Sequence, residues 1–252
     1  SPPEPVLGWL GKEYRMKCGK ARYHKLSIVN YQLLIALRPW LVLAAFALAP
    51  LLLAAWGTRL RPFPLHLLVL LGVGGLAFVW MRRKFVSRRL WARPPSGWWR
   101  GPLLRAVILF FAVTAYVLAC EPDSAFSLLV DRPRLWLAVM ILYPLLSVLP
   151  QEILFRVCLM DILETTPTGR PRQAWIPILG SALLFGWAHV IYAGYAAMLS
   201  TCLAGLALGW NYHCNRIRPG AIWPLLLEHS LYGQIIFSTG LGHYFYILRA
   251  GI

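Results

Sequence analysis

The chain has 252 residues, of which 59% are hydrophobic and only 13% charged, with 25 lysines and arginines against nine acidic residues. This composition excludes an average soluble domain and is typical of a polytopic membrane protein. The basic residues cluster between apolar runs rather than on a face with interleaved aromatics, which argues against nucleic-acid binding. The five cysteines form no CxxC pair, which argues against a disulfide framework or a thiolate zinc site.

A basic leader, residues 1–38, precedes the first apolar run and is predicted to be cytoplasmic. Residues 39–252 are predicted to form one transmembrane helical domain. Crossing a bilayer takes about 20 apolar residues in a helix. Seven runs meet this length, at about 39–57, 63–81, 103–119, 135–163, 174–192, 194–212 and 220–237.

The basic loops at 82–100, 165–173 and 213–219 alternate with these runs, so that all of them fall on the side of the leader. The predicted fold is therefore an all-α polytopic transmembrane bundle with about seven spans, six to eight in all. Its N-terminus is predicted to be cytoplasmic. The tail at 240–252 is predicted to be interfacial, re-entrant or the start of an eighth crossing.

The fourth run contains Glu152 and Arg156 deep within apolar sequence, where ionisable side chains are costly and indicate a functional site. Their i, i+4 spacing places both on one helical face, where they can pair. Pro144 and Pro150 precede them and predict a local kink that frees backbone groups. A buried structural ion pair is the alternative interpretation.

Two later runs carry one histidine each, His189 and His229. At ~1.5 Å per residue, Glu152 and both histidines lie roughly 14–23 Å from the predicted cytoplasmic ends of their helices. That common depth predicts that they converge. A carboxylate beside imidazoles can activate a water for amide hydrolysis, and the same three residues could instead ligate zinc as two His and one Glu.

The order Glu152-x-x-x-Arg156, Phe185-x-x-x-His189 and His229 resembles three consecutive motifs of the CPBP (CAAX protease and bacteriocin-processing) intramembrane proteases, which include the type II CAAX prenyl endopeptidases. The resemblance covers about residues 135–240. It implies an intramembrane protease of glutamic or metal-dependent type, with Gln151 and Glu152 at the acidic pair of the motif. A similar bacterial branch implies the bacterial inner membrane as the location.

Two positions depart from that family pattern. Gln151 stands at the first acidic position, and a glutamine cannot act as a base, so the role falls to Glu152. Gly233 stands where the resemblance expects Asn or Asp. Gln151 or Gln234 is a candidate replacement donor for an oxyanion, and Glu228 is a reserve candidate for the missing carboxylate.

The leading functional hypothesis is an endopeptidase in which Glu152 activates water, assisted by His189 and His229, with Arg156 orienting the glutamate. The expected partners are membrane lipids and a membrane-anchored peptide or protein substrate. The only cofactor considered is zinc. The alternative is a catalytically silent relative that acts as an assembly subunit of a larger membrane complex. A transporter is disfavoured because no inverted repeat is evident.

Overall fold

The structure is a computed structural model that describes residues 40–55, 70, 72–75, 89–164, 173–192 and 194–245. The described residues are mainly helical and include no strand. The chain divides into two compact units, Ser1–Ala45 and Phe46–Ile252. Of the first unit only residues 40–45 are described, and they are helical. The predicted basic leader lies outside the described residues.

Seven helices of the described chain are numbered here in order. They are α1 (Trp40–Ala55), α2 (Arg100–Cys120), α3 (Ser127–Asp131), α4 (Pro133–Glu164), α5 (Trp175–Ala188), α6 (Tyr195–Asn215) and α7 (Ile222–Thr239). Short 3₁₀ segments span Pro122–Ser124, His189–Tyr192 and Leu241–Phe245. The last four helices, α4 to α7, build the surroundings of the candidate site.

Three helical segments of the described chain are long and apolar enough to cross a membrane: α2, α4, and α5 with its 3₁₀ extension to Tyr192. Helix α1 is apolar but shorter. Helices α6 and α7 have 21 and 18 residues but carry buried polar groups such as Asn211 and Glu228. The predicted helical membrane bundle is confirmed. The number of spans stays a prediction, since most of the second predicted span lies outside the described residues.

Exposed leucine and phenylalanine side chains cover the outer faces of the bundle, including Leu104, Phe111 and Leu203. Polar residues instead lie inside it, because the hydrocarbon phase offers them no hydrogen-bond partner. Helices α2 and α6 therefore carry apolar side chains on their outer faces and polar side chains on their inner faces, as expected for helices that face lipid.

Glycines allow α5 and α6 to pack closely. A Cβ on Gly186 would lie 2.8 Å from the Cβ of Cys202, and one on Gly205 would lie 3.0 Å from the Cα of Ala182. Small residues at helix interfaces let backbones approach in this way. The close approach brings the backbone of α6 within reach of Arg156 on α4.

Helix α4 is not a regular α-helix. It widens into π-helix over Pro144–Val148 and again over Ile153–Leu159, with α-helical segments before, between and after. The predicted local kink is realised as these wide turns, which are frequent at functional sites. The second one contains Arg156, and Glu152 immediately precedes it.

Side chains of neighbouring helices donate hydrogen bonds to backbone carbonyls in the irregular part of α4. Pro144 has no N–H to donate to the carbonyl four residues earlier, and the Gln234 amide donates to that carbonyl, on Met140, at 2.9 Å. The Ser181 hydroxyl likewise donates to the Phe155 carbonyl within the second π-helical segment, at 2.8 Å. These contacts tie the irregular part of α4 to α5 and α7.

Candidate active site

Glu152 and His229 are in direct contact inside the bundle. The Nδ1 atom of His229 lies 2.5 Å from Oε1 of Glu152, and both side chains are buried. An ionised carboxylate only accepts hydrogen bonds, so Nδ1 carries the hydrogen of this contact. The second carboxylate oxygen, Oε2, is buried and has no hydrogen-bond partner among the described residues.

Arg156 supplies the opposite charge. Its Nε lies 3.5 Å from Oε2 of Glu152, and the side chain is fully buried. The guanidinium stacks over the Phe185 ring at 4.3 Å, and Nη2 donates to the Gly205 carbonyl at 3.4 Å. Burying an unpaired carboxylate would be very costly, so Arg156 both compensates the charge of Glu152 and limits its rotation.

His189 joins this group through an aromatic ring. The Phe185 ring contacts His189 and His229 edge-on, with centroids 4.8 and 5.5 Å away. Nδ1 of His189 lies 2.8 Å from the Phe185 carbonyl, which can only accept, so the proton resides on Nδ1. Nε2 of His189 is consequently the acceptor nitrogen. The structure therefore places His189 beside the Glu152–His229 pair, without a hydrogen bond to either.

The Gln151 and Gln234 amides, which the sequence suggests as oxyanion donors, donate hydrogen bonds to other groups. Gln151 is half-buried and donates to Ser147 on its own helix at 3.0 Å. Gln234 donates to the Met140 carbonyl. Neither amide contacts Glu152 or His229 among the described contacts.

Glu228, the reserve carboxylate, belongs to a different network. Arg105 on α2 donates to both of its oxygens, at 2.5 and 2.7 Å, and the Tyr232 hydroxyl donates to one of them at 2.6 Å. Asn211 on α6 donates as well. With these partners Glu228 has a structural role. The sequence alone did not identify Arg105, near the start of α2, as the partner of Glu228.

Gly233, where the resemblance expects Asn or Asp, packs against Tyr143 of α4. A Cβ at Gly233 would lie 2.3 Å from the Tyr143 hydroxyl oxygen and 2.2 Å from its ring. The tyrosine therefore occupies the space that a side chain at position 233 would need. Tyr143 was also missed, although its place directly before Pro144 marks it as the end of a regular helical segment.

The 3₁₀ segment Leu241–Phe245 covers one end of the site. Phe245 contacts the rings of His189 and Tyr192, with centroids 6.2 and 5.7 Å away. The Tyr244 hydroxyl donates to Glu121 at 2.7 Å, and this hydrogen bond raises the pKa of Tyr244. Residues 241–245 of the predicted tail thus pack on the bundle, and residues 246–252 lie outside the described chain.

In this structure Glu152, His189 and His229 are not arranged as a zinc site, so the zinc alternative stays a prediction. No group of three His, Cys, Asp or Glu side chains in the described chain is arranged to hold a metal ion. Glu152 and His229 bond each other instead of facing a common point, and a tetrahedral site requires ligands that converge. The contacts are those of a hydrogen-bonded acid–base pair.

The comparisons with known proteins concern the part of the chain that carries these residues. Residues 133–234 match a family model described as type II CAAX prenyl endopeptidase Rce1-like. No curated protein and no solved structure matches the chain. The matched segment runs from the start of α4 into α7 and includes Glu152, Arg156, His189 and His229.

Proposed function

We propose that this chain, whose residues 133–234 match the type II CAAX prenyl endopeptidase Rce1-like family model, is an intramembrane endopeptidase whose nucleophilic water is activated by Glu152. Its substrate is a membrane-associated peptide or protein, since the family's chemistry takes place in a lipid environment. In this reading Glu152 is the base, His229 and Arg156 hold it in place, and His189 contacts the same Phe185 ring as His229.

The observation that carries the proposal is the state of the Glu152 carboxylate. One oxygen accepts from His229, and the other is buried, faces Arg156 and has no hydrogen-bond partner among the described residues. Buried polar atoms without a partner are uncommon and costly. A water bound to Oε2 would satisfy this atom and be oriented for proton transfer.

The reaction proceeds by general-base catalysis. Glu152 takes a proton from the water as its oxygen attacks the carbonyl carbon of the scissile peptide bond. The C–N bond then breaks, and the proton passes from Glu152 to the departing amine. The products are a carboxylic acid and an amine, and the carboxylate of Glu152 is restored.

The histidines have separable roles in this scheme. His229 donates to Glu152 through Nδ1 and so fixes the orientation of the carboxylate. His189 presents Nε2 as an acceptor, because its Nδ1 is occupied by the Phe185 carbonyl. An acceptor at that position can hold the second hydrogen of the attacking water.

The test uses the full chain reconstituted in liposomes. Cleavage is measured on a quenched fluorescent, farnesylated CAAX-type peptide and, by mass spectrometry, on a membrane-extract peptide library. Glu152→Gln keeps the shape of the side chain and removes the base, so we expect cleavage to be lost. Glu164→Gln is the matched control, since Glu164 lies on the same helix and pairs with Arg216 away from the site.

Equal cleavage by wild type and Glu152→Gln would overturn the assignment of the base. No cleavage of either substrate by folded wild type, together with co-purification in a stoichiometric membrane complex, would favour a silent assembly subunit instead.

A further inference from the structure

Tyr143 on α4 packs against α7, where it contacts the side chain of His229 and the backbone at Gly233. Its ring contacts His229 and Phe237 edge-on, with centroids 6.2 and 5.7 Å away. It also lies within electrostatic range of Glu152 and Tyr192. Tyr143 is thus a phenol that borders the proposed reaction centre without serving as its base.

Gly233 determines where the phenol hydroxyl can go. His229 and Gly233 are four residues apart on α7, so they share one face of that helix. The Tyr143 hydroxyl oxygen would lie only 2.3 Å from a Cβ at position 233. Only glycine at this position lets the hydroxyl reach the face of α7 that carries His229.

Hydrolysis of a peptide bond places negative charge on the former carbonyl oxygen, and a positioned donor stabilises it. The two amides near the site are engaged, since Gln151 donates to Ser147 and Gln234 donates to the Met140 carbonyl. Arg156 faces Glu152 and donates to the Gly205 carbonyl through Nη2, while its Nε and Nη1 have no hydrogen-bond partner among the described residues. Tyr143, whose ring contacts His229, is a neutral donor placed to serve the oxyanion while Arg156 stays with the charge of Glu152.

We propose that Tyr143 is a catalytic residue that donates its phenolic hydrogen to the oxyanion of the tetrahedral intermediate, and that Gly233 provides the space this requires. The inference rests on the proposed protease function. The phenol keeps its proton throughout, so the step is hydrogen bonding alone and adds no group to the overall hydrolysis. The hydrogen bond strengthens as charge develops, which raises kcat more than it lowers KM.

The first test is Tyr143→Phe in the reconstituted full chain, assayed on whichever of the two substrates above the wild type cleaves. Loss of one oxyanion donor costs about 10²- to 10³-fold in kcat. We expect a kcat loss of that order with little change in KM and an unchanged melting temperature, because the ring packing is kept. Tyr195→Phe is the matched control, since Tyr195 is an exposed tyrosine at the start of α6.

The second test is Gly233→Ala, which keeps the phenol but displaces its hydroxyl. We expect a similar kcat loss, and no further kcat loss when Gly233→Ala is combined with Tyr143→Phe, since both changes remove one interaction. Wild-type kcat in Tyr143→Phe would overturn the inference, as would a loss that follows only the loss of folded protein. A wild type no more active than Glu152→Gln would instead overturn the proposed function, and this inference with it.

Discussion

Glu228 and His229 are adjacent on α7, yet their side chains belong to two separate polar networks. His229 contacts Glu152 on α4, whereas Glu228 contacts Arg105 on α2 and Asn211 on α6. Neighbouring helical residues point about 100° apart, as 3.6 residues per turn requires. One dipeptide therefore serves both the candidate site and the packing of α7 against two other helices.

We expect Glu228→Gln to lower stability without changing the chemistry. The substitution leaves Arg105 without its counter-charge, but the arginine side chain is 44% exposed and can be hydrated. The cost should therefore be about 1–3 kcal/mol, the usual penalty for an unsatisfied polar group. Thermal unfolding in detergent measures it, and the cleavage rate per folded molecule should match wild type. A lower cleavage rate in fully folded Glu228→Gln protein would contradict the division into two networks.

Substitutions at His229 can separate the roles of its two ring nitrogens. His229→Ala removes the hydrogen bond to Glu152 and should reduce kcat by about 10²- to 10⁴-fold, the range for positioned acid–base groups. His229→Asn places an amide N–H close to the position of Nδ1 and should recover part of the loss. Equal inactivity of the His229→Asn and His229→Ala variants would mean that Nε2 takes part in the reaction. Orienting Glu152 would then be only part of the role of His229.

We expect cleavage to be insensitive to metal chelators. The prediction follows from the direct Glu152–His229 bond and from the lack of a three-ligand group in the described chain. Activity should survive prolonged incubation with EDTA and with 1,10-phenanthroline, and elemental analysis should find less than stoichiometric zinc. Loss of activity that added Zn²⁺ restores would show that the helices rearrange to bind metal.

The Gln234 amide and Pro144 should be coupled energetically. Gln234→Leu leaves the Met140 carbonyl without a donor and should destabilise the fold by about 1–3 kcal/mol. Pro144→Ala supplies a backbone N–H to the same carbonyl. In that background Gln234→Leu should cost clearly less, which a double-mutant cycle of unfolding free energies detects. Additive effects would mean that the amide matters for another reason.

The helices were largely predictable from the sequence. The described counterparts of the third to seventh predicted spans begin and end within three residues of their predicted limits, because most of these long apolar runs are separated by basic or acidic turns. The π-helical segments of α4 were not predictable, since they depend on which carbonyls find partners on α5 and α7. Pro144 and Pro150 indicated an irregularity but not its form.

The candidate site was predictable where apolar surroundings made a polar residue conspicuous. Glu152, Arg156, His189 and His229 all stand out in this way. Tyr143 does not, because a tyrosine in an apolar helix resembles ordinary packing. Its importance emerges only with Gly233, which lies 90 residues later in the chain and meets it across a helix interface.

The wide turn over Ile153–Leu159 has a consequence for how this chain tolerates insertions and deletions. Removing one residue there could restore an ordinary helix, but it would shift the residues of the turn relative to their partners on α5 and α6. A deletion between Glu152 and Arg156 would change their spacing from i, i+4 to i, i+3, and the Phe155 carbonyl and Arg156 would lose their present positions opposite Ser181 and Gly205. A change in length of one residue should therefore be more damaging at this turn than most single substitutions, whereas the same change in the loop between α6 and α7 leaves the pairing of Glu152 and Arg156 within α4 intact.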